Sequence, residues 1–159
     1  MQSDEDLPLT IESQVLELLE ERRIREEDVR QVVSFAETRE AFHTNRTTGR
    51  RIAYFSSSNV ACWVEYVWEE GGCRILNAYT HRMKILEGFN MPSKKIPEET
   101  DWLCGRCGVP LETAAVKLAY LEETFVADFP ACPSCQRVLI SAENAVGKMA
   151  LAERMLEDK

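Results

Sequence analysis

An α+β fold is expected from three observations. Apolar residues recur at helical spacing over residues 11–39, three runs of strand-forming residues follow over 51–86, and two C-x-x-C pairs stand 24 residues apart around a strand-rich stretch. The expected architecture is an N-terminal domain over residues 1–90, two helices plus a three-stranded antiparallel meander. A linker over 91–100 joins it to a small four-cysteine β-hairpin domain with a C-terminal helix over 101–159. At 159 residues the chain is long enough for two such units.

Residues 1–9 are polar and broken by Pro8, so a tail is expected there. Thr10 reads as a helix N-cap, and Ile11, Val15, Leu18 and Leu19 form one stripe on a helix to about Arg23. A second helix is read over Glu26–Arg39 with the stripe Val29, Val32, Val33 and Ala36. Its first turn carries Glu26, Glu27 and Asp28, where the helix dipole favours negative charge. Thr44–Gly49 has turn chemistry, and strands are read over 51–56, 61–69 and 74–86. Gly71-Gly72 reads as a two-residue hairpin turn. That register pairs Trp68 with Ile75, Tyr66 with Asn77, Val64 with Tyr79 and Cys62 with His81, and it puts Val64, Trp68, Ile75 and Tyr79 under the helices. Glu69 and Arg74 then face solvent as an ion pair. Cys62 and Cys73 fall at opposite ends of the hairpin, too far apart for a disulfide, and read as small buried residues. His81 reads as a hydrogen-bonded histidine near a strand end.

Met91–Glu99 holds two prolines and alternating charge, the composition of a linker. Beyond it, residues 114–120 and 125–129 read as a hairpin, and Ser141 caps a helix to about Leu156 with Ala142, Ala145, Val146, Met149, Ala152 and Leu156 on one side. That side is a candidate docking surface, together with the knuckle tips Gly105-Arg106 and Pro133-Ser134. It can equally pack on its own ribbon.

The strongest chemical signal is Cys104-Gly105-Arg106-Cys107 paired with Cys132-Pro133-Ser134-Cys135. Each C-x-x-C folds into a tight knuckle with two converging thiolates, and two knuckles complete a tetrahedral four-sulfur site, as in zinc ribbons. Cys104, Cys107, Cys132 and Cys135 are therefore the expected metal ligands, with zinc as the metal and iron as the alternative. Four protein ligands leave no open position, so a structural role is expected and Lewis-acid catalysis is not. Neither half shows a nucleophile, base and orienter set, which points away from an enzyme and toward an accessory protein. No metal ligand set is visible before Cys104, so chelation is expected to unfold only the C-terminal part.

The net charge of −8 lacks the basic surplus that phosphate neutralisation needs, which makes nucleic acid an unlikely partner and another protein the expected one. No run reaches the length of a membrane helix, and the acidic start does not resemble a signal peptide, so a cytoplasmic location is expected.

Residues 102–111, 132–135, 147–150 and 155–159 together resemble a small family of four-cysteine proteins of anaerobic bacteria labelled as redox proteins. The resemblance implies a link to molybdenum-dependent oxidoreductases and their maturation factors. Iron in the same cage would make a rubredoxin-like electron carrier, although Val109, Pro110 and Gln136 depart from the usual rubredoxin knuckles. Residues 16–82, through Glu20–Val29 and Arg74–Tyr79, faintly resemble BrnT-type toxin-like domains. That resemblance implies a fold, and as a third reading an RNA nuclease dependent on Arg50, Arg51 or His81.

Overall fold

Two short helices cover one face of a sheet because their apolar residues lie on single stripes. In the computed structural model, which describes residues 8–57, 59–70, 72–86 and 101–158 and the backbone of 91–92, α1 spans Ser13–Glu21 and α2 spans Glu26–Arg39. Val29, Val32, Val33 and Ala36 of α2 and Leu19 of α1 are buried. The Asp28 carboxylate accepts the Arg25 amide at 3.0 Å and so closes the start of α2. The end of α1 is closed by the Ile24 amide donating to the Leu19 carbonyl at 2.9 Å, with Arg23 left-handed at φ 58°. Glycine is the residue that favours this position, and a side chain there costs on the order of 1 kcal/mol. Thr10 does not cap α1. It lies in β1 (Leu9–Ile11), which pairs in parallel with a strand of the meander, and Glu12 precedes the helix.

The meander comprises β3 (Arg51–Ser57), β4 (Val60–Glu69) and β5 (Gly72–His81), preceded by β2 (His43–Asn45). Its register differs from the one expected. Glu69 pairs with Gly72, Trp68 with Cys73 and Tyr66 with Ile75, and a bulge between Glu65 and Tyr66 leaves Leu76 unpaired. Beyond the bulge Val64 pairs with Ala78, Trp63 with Tyr79, Cys62 with Thr80 and Ala61 with His81. The reason lies at Gly72. A Cβ there would meet the Pro8 carbonyl oxygen at 2.6 Å, and the Cys73 amide donates to that oxygen at 3.0 Å. Gly72 therefore serves the close approach of the chain before β1 and lies in the strand. Tyr79 consequently lies on the face opposite Val64, and Trp68 is 48 % exposed instead of buried under the helices. The helices cover Ala53, Val64, Tyr66, Ile75 and Ala78. The ion pair of Arg74 with Glu69, at 3.0 Å, is as the sequence suggests.

The other face of the meander is also buried. β5 stops at His81, and after Arg82-Met83 the chain enters β6 (Lys84–Ile85) of a second sheet with β9 (Glu112–Tyr120) and β10 (Glu123–Ala131); β7 (Met91–Pro92) also pairs with β9. The β9–β10 turn is Leu121-Glu122, both left-handed, which is the twist a two-residue hairpin requires. Ile52, Trp63 and Tyr79 of the meander share one core with Leu111, Val116, Leu118, Phe129 and Ile140. A further strand, β8 (Trp102–Cys104), adds to the edge of the first sheet by pairing with β2. The mixed α+β class agrees with expectation, but the parts on either side of 91–100 share a sheet and a core. Most of the expected linker lies outside the described residues.

Ser141 accepts the Asn144 amide, as an N-cap should, at the start of α3 (Ala142–Asn144). A π turn at Ala145–Met149 then leads into α4 (Ala150–Glu157). The wider turn rotates the following residues, so Ala145 and Met149 remain buried but Glu153 faces inward as well. Its carboxylate accepts the Arg82 amide at 3.0 and 3.1 Å and the Met83 amide at 3.4 Å, closing the break between β5 and β6. Burial raises the Glu153 pKa above its ordinary value.

Candidate metal centre

Cys104 ends β8 and Cys132 follows β10, so each knuckle is launched from a strand. The two knuckles repeat one hydrogen-bond pattern. The Cys104 amide donates to the Val109 carbonyl (3.0 Å) and the Gly108 amide to the Cys104 carbonyl (2.8 Å); the Cys132 amide donates to Arg137 (2.9 Å) and the Gln136 amide to Cys132 (2.9 Å). Gly108 and Gln136, each following the second cysteine, are both left-handed at φ 70° and 66°. The first knuckle sits on the segment after α2. The Gly105 amide donates to the Phe42 carbonyl at 2.8 Å, and a Cβ on Gly105 would lie 2.6 Å from that oxygen and from the ring. Arg106 reaches the Arg39 carbonyl at 3.2 Å. This knuckle tip is therefore docked on the chain's own surface, while Pro133 and Ser134 of the second are exposed.

The knuckles bring the sulfurs of Cys104, Cys107, Cys132 and Cys135 to within 4.8 Å of one another, with Cys104 Sγ and Cys135 Sγ 3.6 Å apart. Metal–sulfur bonds of about 2.3 Å in a tetrahedron require sulfur separations of about 3.8 Å. The amides of Ser134 and Cys135 both donate to Cys132 Sγ at 3.4 Å. Burial pushes the Cys104 thiol up to about 12, with the neighbouring Cys135 adding to the rise, and burial also raises Cys132. Burial acts against ionisation of Cys135 too, but the Arg137 amide and the thiols around it hold it below its ordinary value. Such a cluster cannot carry four negative charges alone, and a divalent cation between the sulfurs would stabilise them all. An all-sulfur donor set suits zinc or iron and disfavours magnesium or calcium. Cys104 and Cys132 are buried, Cys107 is half-buried and Cys135 is exposed, so the centre lies at the surface.

The remaining sequence candidates stand elsewhere. Cys62 and Cys73 are free thiols, pushed up to about 12 by burial, and are inert packing residues. His81 donates from Nδ1 to the Met83 carbonyl (2.8 Å) and accepts the Trp63 indole N–H at Nε2 (2.8 Å), which uses both nitrogens. Arg50 pairs with Glu65 at 3.1 Å and Arg51 with Glu37, so these residues form no converging nuclease set. Met149 is 4 % exposed and packs on its own ribbon, leaving Val146, Leu151 and Met155 as the exposed apolar residues of the C-terminal helix.

Sequence reasoning passed over His43, which lies opposite Cys104 in the β2–β8 pair and donates from Nε2 to the Val138 carbonyl at 3.2 Å. No spacing rule marks a single histidine at that position. Burial depresses both His43 and His81 to about 4 from 6.5. Between those values the unfolded chain binds more protons than the folded one, so stability is full above about pH 6.5 and is lost as pH falls toward 4. The expected slope is about 1 kcal/mol per pH unit per histidine. Urea unfolding at pH 7 and pH 5 should show this loss. His81→Gln, which keeps a donor and an acceptor, should flatten the dependence, and an unchanged slope would contradict the assignment.

Among known families, the model described as "Domain of unknown function (DUF7479)" matches residues 100–159, the part that carries Cys104, Cys107, Cys132 and Cys135. No curated protein and no solved structure matches the chain. Among the described residues, no helix is long and apolar enough to cross a membrane. The stretch that this family model matches thus carries four cysteine sulfurs that could hold a metal ion, and it follows a helix-covered meander in the chain.

Proposed function

We propose that Cys104, Cys107, Cys132 and Cys135 bind one zinc ion in a closed, structural site, and that the protein is a cytoplasmic accessory module acting by binding another protein. The convergence of the four sulfurs within 4.8 Å is the observation that carries this reading. The same observation favours a structural over a Lewis-acid role, because four thiolates fill a tetrahedral ion. The exposed Pro133-Ser134 tip and the Val146, Leu151 and Met155 residues are the surfaces offered to a partner. A subunit or maturation factor of a molybdenum-dependent oxidoreductase is the candidate partner, on the resemblance of residues 102–159. Protein purified without added metal should contain about one zinc per chain, and Cys132→Ser should lose it. All four thiols titrating as free in metal-poor native protein would refute the site.

Iron is the second reading, favoured by the exposed Cys135 and by amides donating to sulfur, since both suit electron exchange at a thiolate centre. A red oxidised protein supports iron, and a colourless one supports zinc.

A further inference from the structure

Away from the four-cysteine cluster, the turn between α1 and α2 forms one wall of a cleft of about 440 Å³ that no part of the proposed metal function uses. The volume lies in the range of small-ligand sites. Arg22, Arg23 and Arg25 line it together with the accessible apolar residues Phe55 and Val60 and with Thr80.

The charges there are not equivalent. Arg25 is neutralised by Asp28, at 3.0 Å, and by Glu27, and Arg82, which also borders the cleft, is paired with Glu157. Arg22 has no carboxylate partner among the described residues. Its Nη1 instead donates to Asn77 Oδ1 at 2.9 Å and to the Ala78 carbonyl at 2.7 Å, which holds the guanidinium fixed on β5. Arg23 likewise pairs with no carboxylate among the described residues. It also occupies the left-handed position that backbone energetics would give to glycine. A chain of net charge −8 thus holds two uncompensated guanidiniums at one cleft, one of them at a conformational cost.

We propose that this cleft binds a phosphate monoester with a ring-bearing apolar body, its phosphate on Arg22 and Arg23 and its ring against Phe55 and Val60. A phosphate monoester carries a charge of about −1.5 to −2 near neutral pH, which matches two guanidiniums without carboxylate partners better than a single carboxylate does. The planar donor fork of arginine suits phosphate oxygens, and the apolar wall gives the ring a surface that inorganic phosphate cannot use.

The test is titration of the full-length, metal-loaded protein with adenosine 5′-monophosphate and with phenyl phosphate, followed by amide shifts and calorimetry. At least one monoester should bind saturably and shift the amides of Arg23 and Thr80, with inorganic phosphate and adenosine each roughly tenfold or more weaker. Arg23→Gly is the informative variant because it relieves the left-handed strain. It should raise the melting temperature and weaken monoester binding roughly tenfold or more. Absence of saturable binding by both monoesters at millimolar concentration would overturn the proposal, as would equal binding of adenosine or unchanged affinity in Arg23→Gly.

Discussion

Removal with a strong chelator of the metal proposed for the cysteine cluster is expected to loosen the meander as well as the ribbon. A zinc site of this type contributes about 10 to 16 kcal/mol of apparent binding energy at neutral pH, comparable with the total stability of a small protein. The sequence alone leads to the expectation that residues 1–90 stand unaffected. The shared core argues otherwise, because Ile52, Trp63 and Tyr79 lose their cover when the knuckles open. Two hydrogen bonds point the same way: Tyr79 Oη donates to the Ile140 carbonyl at 2.5 Å, and His43 donates to Val138. Both acceptors lie just beyond the second knuckle. Hydrogen exchange with and without chelator should show lost protection in β2, β4 and β5 as well as in β9 and β10. Full protection of β4 and β5 in protein shown to be metal-free would establish the ribbon as an independent unit.

Trp63→Ala is expected to be the most damaging single core substitution. The side chain is fully buried, stacks on Tyr54 at 4.5 Å and lies parallel to Tyr79 at 6.2 Å. Truncating such a residue costs about 3 to 5 kcal/mol, and the His81 acceptor it leaves unpaired adds about 1 kcal/mol or more. Trp68→Ala, at a site 48 % exposed, should change stability by only about 0.5 kcal/mol. Urea unfolding of the two variants compares them directly. A larger loss for Trp68 would mean that the sequence-based register, with Trp68 beneath the helices, is the correct one.

The contrast between these tryptophans shows what could be read from the chain. The convergence of the four cysteines was legible because a chelate site needs its residues at fixed local spacing, and α2 because its stripe and acidic first turn agree. The β5 register was not, since Gly71-Gly72 is good turn chemistry and the deciding contact comes from Pro8. The inward turn of Glu153 was equally hidden, because helical periodicity assumes a regular helix and a π turn intervenes at Gly147. The dual burial of the meander escaped for a related reason. Alternation along β4 and β5 identifies two faces, but only the tertiary arrangement says that a second sheet covers the less obvious one.

The bond from Tyr79 to Ile140 spans 61 residues, and this separation has a meaning during synthesis. At about 5 to 20 residues per second a ribosome takes roughly 3 to 12 seconds to travel that far. Throughout that interval the helices can already settle on their face of the nascent meander. The Trp63 and Tyr79 face has nothing to close over it, and the first cysteine pair waits without its second. Each new chain therefore passes through a state lasting seconds with an aromatic sheet surface open to its neighbours. Crowded translation, or scarcity of the metal proposed for the cysteine cluster, would lengthen that state, so yield in cells should depend on expression rate and on supply of that metal more than the stability of the finished protein would suggest.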